Sequence, residues 1–266
     1  MNKANQLVID KLSINCPQIV NNIKVFLLTE FKRAGKNKAV VGVSGGIDSS
    51  VVATLCVIAL GKKNVVLLQL PYRGISSQGS ERDSKELAEF LKVPRRNVLK
   101  FKINNIVDNY KQQLTPDLLR LGNIMARVRM IYLYDISKKI NGLVVGTCNR
   151  SELLLGYETR YGDGACDLNP ISSLYKNQIY QLAHYFNLPE NILKKPPSAE
   201  LWNGQTDENE LGFSYDWVDP LLYFLIDKKM SSSMVSKKFG YKRSDILEIL
   251  KKVNNNKFKQ LLPPSF

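Results

Sequence analysis

The residues best placed to do chemistry are Ser44-Gly45-Gly46-Ile47-Asp48-Ser49-Ser50, set between an apolar β-branched run, Ala39 to Val43, and a helical pattern beginning at Val51. A strand, a turn of small residues and a helix can gather backbone N–H groups around an anion. Two glycines allow positive φ and close approach, and the helix points its positive end at the same place. The frame starting at Gly42 has no lysine before a Ser/Thr, so the standard phosphate-loop signature fails. A serine-rich turn stands there instead, with one carboxylate, Asp48, placed to hold a metal. The plainer alternative is a Ser/Gly turn in which Asp48 only caps the helix.

A second constellation runs from Gly146 to Pro170. It sets the hydroxyl of Thr147 at a strand end and the carboxylate of Glu152 one helical turn later. A Gly/Asp-rich loop follows, carrying Arg160, Asp163 and Asp167. Such a loop is usually filler. Here its charges follow a strand end that falls at the same kind of position as Ser44.

The elements that must position these groups can be read from apolar spacing. Residues 17–34 read as a helix, with Pro17 at its start, Val20, Ile23, Leu27 and Phe31 on one face, and Gly35 past its end. Strands are expected at 39–43, 64–70, 97–103 and 143–145, and helices at 49–60, 84–91, 124–140 and 175–186. The stretch 216–254 reads as mostly helical, punctuated at Pro220 and Gly240. Strands separated by helices predict an α/β fold with a doubly wound parallel sheet flanked by helices. Ligands of such a sheet bind beyond the carboxyl ends of its strands, near a switch point. Ser44 and Thr147 both fall there. No repeat, low-complexity linker or boundary is visible, so one domain over 1–266 is expected.

Composition narrows the class. Of 266 residues, 44% are hydrophobic and 23% charged, as in a globular protein. The longest mostly apolar stretch, Val51 to Leu60, is too short for a bilayer, and the first residues contain no apolar signal region. A soluble, cytoplasmic protein is expected. The four cysteines form no Cys-x-x-Cys pair, which fits reduced thiols. His184, the only histidine, lies in an amphipathic stretch and reads as a surface or packing residue. The net charge is +14, but the lysines are scattered. That favours steering of polyanionic small molecules over a nucleic-acid face, with tRNA as the lesser option.

The turn at Ser44 resembles that of the ATP pyrophosphatases, which split ATP into AMP and pyrophosphate. Further motifs follow in order: Gly122-Asn-Ile-Met-Ala-Arg127-Val-Arg129-Met130, Tyr161-Gly-Asp-Gly164, Lys195-Pro-Pro-Ser198 and Gln205-Thr-Asp-Glu208. With these, the chain from about residue 20 to Pro264 is similar to the ammonia-dependent NAD synthetases. The resemblance implies an adenine nucleotide α-hydrolase-like, Rossmann-like fold with a helical C-terminal segment. It also implies a C–N-forming ligase. ATP adenylates the nicotinate carboxylate of deamido-NAD and releases pyrophosphate; ammonia then displaces AMP to give NAD.

Roles carry over by motif. Gly42, Val43, Ser44, Gly45, Gly46, Ile47, Asp48 and Ser49 would bind ATP phosphates, with Thr147, Lys176 and Ser198 completing the ATP site. Asp48 and Glu152, expected at the exposed carboxyl edge of the sheet, would hold Mg²⁺. Arg127, Arg160, Asp167, Phe258 and Lys259 would bind deamido-NAD. Asp163 would orient ammonia or accept its proton, and Lys176 would act with it in catalysis. Plainer readings stand beside these: Lys176 as a solvated helix residue, Asp167 as a cap for the turn before Pro170, and one of Arg127 and Arg129 as structural, since they cannot share a helix face.

The chain departs from the family at Arg160, where many members have lysine, and at Phe258-Lys259, where His-Lys is frequent. Ser198 replaces a common threonine. With no separate amidase domain in the sequence, free ammonia is the expected nitrogen source. The resemblance also implies a homodimer with the dinucleotide across its interface, and no nucleic-acid or membrane partner. Ser76 to Asp83 and Leu201 to Gly212 are expected to close over the ATP site. The residues alone leave room for two rivals, another amidating or tRNA-modifying ATP pyrophosphatase and a nucleotide-binding module without catalysis.

Overall fold

The computed structural model describes residues 10–72, 78–198, 201–202 and 204–265. Four short strands form one parallel sheet: β1 (Ala39–Gly42), β2 (Val65–Gln69), β3 (Val98–Lys100) and β4 (Leu143–Val144), in the order β3-β2-β1-β4. Ala39 is in register with both Val65 and Leu143. A lone parallel bridge between Val145 and Leu168 continues the pattern past β4. β2 is buried along its whole length, as the apolar run Val65 to Leu68 requires when helices cover both faces, and Gln69 at its end is buried with it.

Side chains alternate between two cores. Ala39, Val41, Val65 and Leu67 point to one face, and Val40, Val66 and Leu68 to the other. The first face is covered by α1 (Cys16–Arg33), α2 (Ile47–Leu60), α3 (Gln78–Phe90), α7 (Lys176–Tyr185) and α8 (Glu190–Lys194). The second is covered by α4 (Asn104–Leu114) and α5 (Leu118–Ile140), which contribute Val107, Leu121, Met125, Val128 and Ile136.

A third core belongs to the C-terminal helices. It gathers α6 (Arg150–Leu155), α9 (Asp207–Leu211), α10 (Tyr215–Leu222), α11 (Ser232–Phe239) and α12 (Arg243–Asn256) around Tyr215, Val218, Leu222 and Ile246. Pro220 does not end a helix as its type suggests. α10 runs through it and on into a π-helical turn, Tyr223–Asp227. Gly240 does end α11, in the left-handed conformation.

Two other expectations shift. The helix expected from residue 84 begins at Gln78, so 78–83 are its first turns; residues 76 and 77 lie outside the described residues. Within the second expected lid segment, 207–211 form α9. His184 is exposed, and all four cysteines are free. Among the described residues no helix is long and apolar enough to cross a membrane.

Candidate active site

The chain leaves β1 for β2 and β3 on one side and returns to β4 on the other, so the switch point lies between β1 and β4. A cavity of about 450 Å³ opens there, within the range of small-molecule sites. It brings together Gly42, Val43, Ser44, Gly46, Ile47, Asp48 and Ser49 from the first turn with Thr147, Glu152 and Asp163 from the second constellation, and adds Lys176, Ser198 and Lys259.

The turn is held by its own serines. Ser44 Oγ accepts the Gly46 N–H (3.2 Å), and Ser49 Oγ donates to the Gly46 carbonyl (3.1 Å). Gly46 is the N-cap of α2 and offers no side-chain cap. The first amides of a 14-residue helix therefore stay available to an anion in the cavity. Gly46 has negative φ; only Gly45 is left-handed, at +75°. Gly45 does not line the cavity. A Cβ on it would lie 2.7 Å from the Ser80 carbonyl, so its smallness lets α3 dock against the turn.

At the centre sits an ionic cluster. Lys176 Nζ donates to Asp48 Oδ2 (2.6 Å) and to Glu152 Oε1 (3.2 Å). The Lys176 side chain is 3% exposed and the two carboxylates 16% and 14%. Neither the solvated lysine nor the exposed carboxylate edge of the sequence reading holds, because α7 packs under the cavity floor and carries Lys176 into it. Asn149, wholly buried, fixes both carboxylates. Its Nδ2 donates to Asp48 Oδ1 (2.9 Å), and its backbone N–H donates to Glu152 Oε2 (3.1 Å) within a capping box that starts α6. Burial opposes the charge on Lys176, but Asp48 first and Glu152 next raise it well above its usual value. Burial likewise pushes Glu152 up to about 8, against the pull of Lys176.

Asp207 adds a third carboxylate, 3% exposed, that raises Glu152 further. Its Oδ2 accepts from the Tyr215 hydroxyl (3.0 Å), while Oδ1 is buried with no hydrogen-bond partner among the described residues. Three carboxyl groups thus gather around one ammonium, and burial raises two of them, Glu152 and Asp207, above their ordinary values. The convergence of Asp48 and Glu152 on a single point and their hard oxygen donors fit a divalent cation completed by phosphate oxygens, whose charge would hold both carboxylates ionised. No group of three His, Cys, Asp or Glu forms a self-sufficient metal site among the described residues.

The far end of the cavity holds Asp163, which accepts the Thr159 N–H (2.9 Å), and Glu158, pushed up to about 7 by burial and then by Asp163. The Lys259 ammonium donates to the carbonyls of Gly156 (2.6 Å) and Glu158 (2.9 Å), so it also organises this loop. Arg129 turns inward and bonds the Leu70 carbonyl (3.1 Å).

The other expected dinucleotide residues lie outside. Arg127 is exposed and donates to the Arg160 carbonyl (3.3 Å). Arg160 donates to the Leu261 carbonyl (3.0 Å) and lies over the rings of Tyr161 and Phe258. Asp167 stands apart from both groups. It accepts the Val144 N–H (2.7 Å), tying the residue before the Val145–Leu168 bridge to β4, rather than capping the turn before Pro170.

Comparison with known proteins decides between the possible families. The family model described as NAD synthase matches residues 19–263. The chain belongs to the NAD synthase family. It is 41% identical over 255 residues to the NH(3)-dependent NAD(+) synthetase of Fusobacterium nucleatum, covering 96% of this chain and 97% of that one. Among solved structures it is similar to the NH3-dependent NAD synthetase of Campylobacter jejuni, with a TM-score of 0.80 and 37% identity over 95% of this chain and 100% of that one. It is also similar to the NMN synthetase of Francisella tularensis, with a TM-score of 0.81 and 31% identity over 95% and 99% of the two chains.

Residues to which the motifs gave no role are Asn149, Asp207 and Glu158; of the weighed pair Arg127 and Arg129, it is Arg129 that lines the cavity. Asn149 carried a readable signal, an Asn three residues before Glu152, which is the capping-box spacing. Asp207 lay inside a quoted motif without a role.

Proposed function

We propose that this chain is an ammonia-dependent NAD synthetase that amidates the nicotinate carboxylate of deamido-NAD at the expense of ATP. The observation that carries this reading is the meeting, at one switch point, of the uncapped α2 N-terminus with the Asp48–Lys176–Glu152 cluster.

A carboxylate is a poor acyl donor because oxide would have to leave. In the first step a nicotinate oxygen bonds to the α-phosphorus of ATP, and the bond to the β-phosphate bridge breaks. Pyrophosphate leaves with that electron pair. The amides of Ser44 to Ser49 would receive its negative charge, with Thr147 and Ser198 completing the nucleotide site. Asp48 and Glu152 would hold Mg²⁺, which supplies charge neutralisation on the phosphates. The Lys176 ammonium, released from one carboxylate, would then serve the same oxygens. In the second step ammonia bonds to the acyl carbon, the bond to AMP breaks, and a proton leaves the nitrogen. Asp163 is the residue we assign to orient ammonia or take that proton.

Arg127, Arg160, Asp167 and Phe258 would bind deamido-NAD where two copies of the chain meet, with Lys259 reaching it from the cavity side. A cytoplasmic homodimer using free ammonia accords with this reading. The assay that tests it supplies ATP, Mg²⁺, ammonium and deamido-NAD and follows all products. AMP, pyrophosphate and NAD should appear in equal amounts, whereas ADP and orthophosphate as primary products would overturn the assignment. Likeness to an NMN synthetase makes nicotinate mononucleotide the necessary second substrate in that assay. A preference for it would move the reading to the shorter nucleotide.

A further inference from the structure

One buried carboxylate joins two of the three helices that carry the ionic cluster, those of Glu152 and Lys176. Asp219, in α10, has no exposed surface. Its Oδ1 accepts from the Ser151 hydroxyl (2.6 Å). Its Oδ2 accepts from the backbone N–H of Asn177 (2.9 Å) and from the Asn177 side-chain amide (3.0 Å). The Ser151 oxygen in turn accepts the backbone N–H of Lys176 (3.0 Å). Ser151 immediately precedes Glu152 in α6, and Asn177 immediately follows Lys176 in α7.

The first amides of α7 need outside acceptors. The hydroxyl of its N-cap residue, Tyr175, is directed away to Asp227 (2.9 Å). Asp219 therefore caps α7 from a different helix, its Oδ2 taking the Asn177 amide at that helix end. Packing alone does not call for a carboxylate here. Val218, Leu221 and Leu222 beside it are fully buried and apolar, and an ionised group among them is costly unless it is used.

We propose that Asp219 is a positioning residue of the ATP site. Through Ser151 and Asn177 it fixes the first turns of α6 and α7 against each other, and with them the 3.2 Å spacing of the Glu152 carboxylate and the Lys176 ammonium. The inference rests on the reading that this pair meets the phosphates of ATP. It adds that the geometry is imposed by the C-terminal helical layer and not by the sheet.

Three variants test it: Asp219→Asn, which keeps the shape but turns an amide donor toward donors; Ser151→Ala, which removes only the relaying hydroxyl; and Ser151→Thr, which keeps it. Misplacement by about 1 Å costs on the order of 10²-fold in rate, so Asp219→Asn and Ser151→Ala should lose roughly 10–100-fold in kcat and bind MgATP about tenfold more weakly by calorimetry. The KM for deamido-NAD should not change, and Ser151→Thr should behave as wild type. Should Asp219→Asn fail to fold, the pair of Ser151 variants makes the same comparison. A purely structural carboxylate would lower the unfolding midpoint and leave MgATP affinity and kcat per folded molecule unaltered. That result overturns the inference. A wild-type chain that binds MgATP but makes no NAD would count against the proposed reaction instead, and the affinity measurement would still decide the role of Asp219.

Discussion

The crevice between β1 and β4 and the exposed group around Arg160 are built on opposite terms. In the crevice the charged groups pair with one another: Lys176, Asp48, Glu152 and Asn149 bond in a mostly buried cluster. Around Arg160 the cations meet only backbone carbonyls and aromatic faces, with no carboxylate paired to Arg127 or Arg160 among the described residues. The first region is held in place by its own bonds. The second leaves its guanidinium groups without a carboxylate among the described residues, which is what the proposed binding of a dinucleotide between two copies of the chain would need.

Removing the central cation should do the greatest damage. Lys176→Met leaves two carboxylates buried without their partner, and breaking a buried ion pair costs about 3–5 kcal/mol. Urea unfolding at pH 7.5 should show that loss, and NAD formation should fall below detection. A Lys176→Met chain as stable as wild type would mean that the cluster is not the rigid half of the molecule. Next in size, Asp48→Asn and Glu152→Gln should each cut turnover on the order of 10²–10³-fold, the cost of losing one group that stabilises charge in the transition state. Both should also need more Mg²⁺ for half-maximal rate. An unshifted Mg²⁺ titration would separate these carboxylates from the metal.

The exposed group should respond differently. Arg160→Ala should raise the KM for deamido-NAD about tenfold, roughly 1.4 kcal/mol, while the KM for ATP stays at its wild-type value. Its stability should change by no more than about 0.5 kcal/mol, as for most surface substitutions. A rise in the ATP KM would break the division between the two regions.

The smallest effect concerns Glu158, at the border between them. Its folded value, about 7, lies above the ordinary carboxylate value of 4.5, so the folded state holds its proton where the unfolded state has lost it. Stability contributed by that proton is present below about pH 4.5 and is lost as pH rises through 7. Glu158→Gln should therefore flatten the fall in the urea midpoint between pH 5 and pH 7.5. An unchanged slope would show that Glu158 is as solvated as the surface residues.

Much of this arrangement is legible in the residues. β-branched runs mark β1 and β2, and the turn from Ser44 to Ser50 marks the switch point, because local sequence dictates local backbone. What lies between distant segments is not legible. Lys176 meets Asp48 across 128 positions, and no spacing rule reports that its helix packs under the cavity. α4 lies outside the helices expected from apolar spacing, although Ile106, Val107, Tyr110 and Leu114 recur at helical intervals; only Val107 of these is buried. The inward turn of Arg129 and outward turn of Arg127 follow from their two-residue separation, but which one turns in depends on where α5 docks. Asp219 has no signature at all, since an Asp in Tyr-Asp-Trp-Val-Asp-Pro-Leu-Leu reads as an ordinary polar helix position.

The parallel sheet also governs when activity can arise. Parallel neighbours must be joined by long crossovers, and contacts between distant segments form late and slowly. β1 waits for β4, about a hundred residues on, and Lys176 can reach Asp48 only after α7 has docked beneath α2. During refolding from denaturant, the helical signal should therefore return well before enzymatic turnover does. A chain in that interval carries almost all of its secondary structure and none of its catalytic charge geometry.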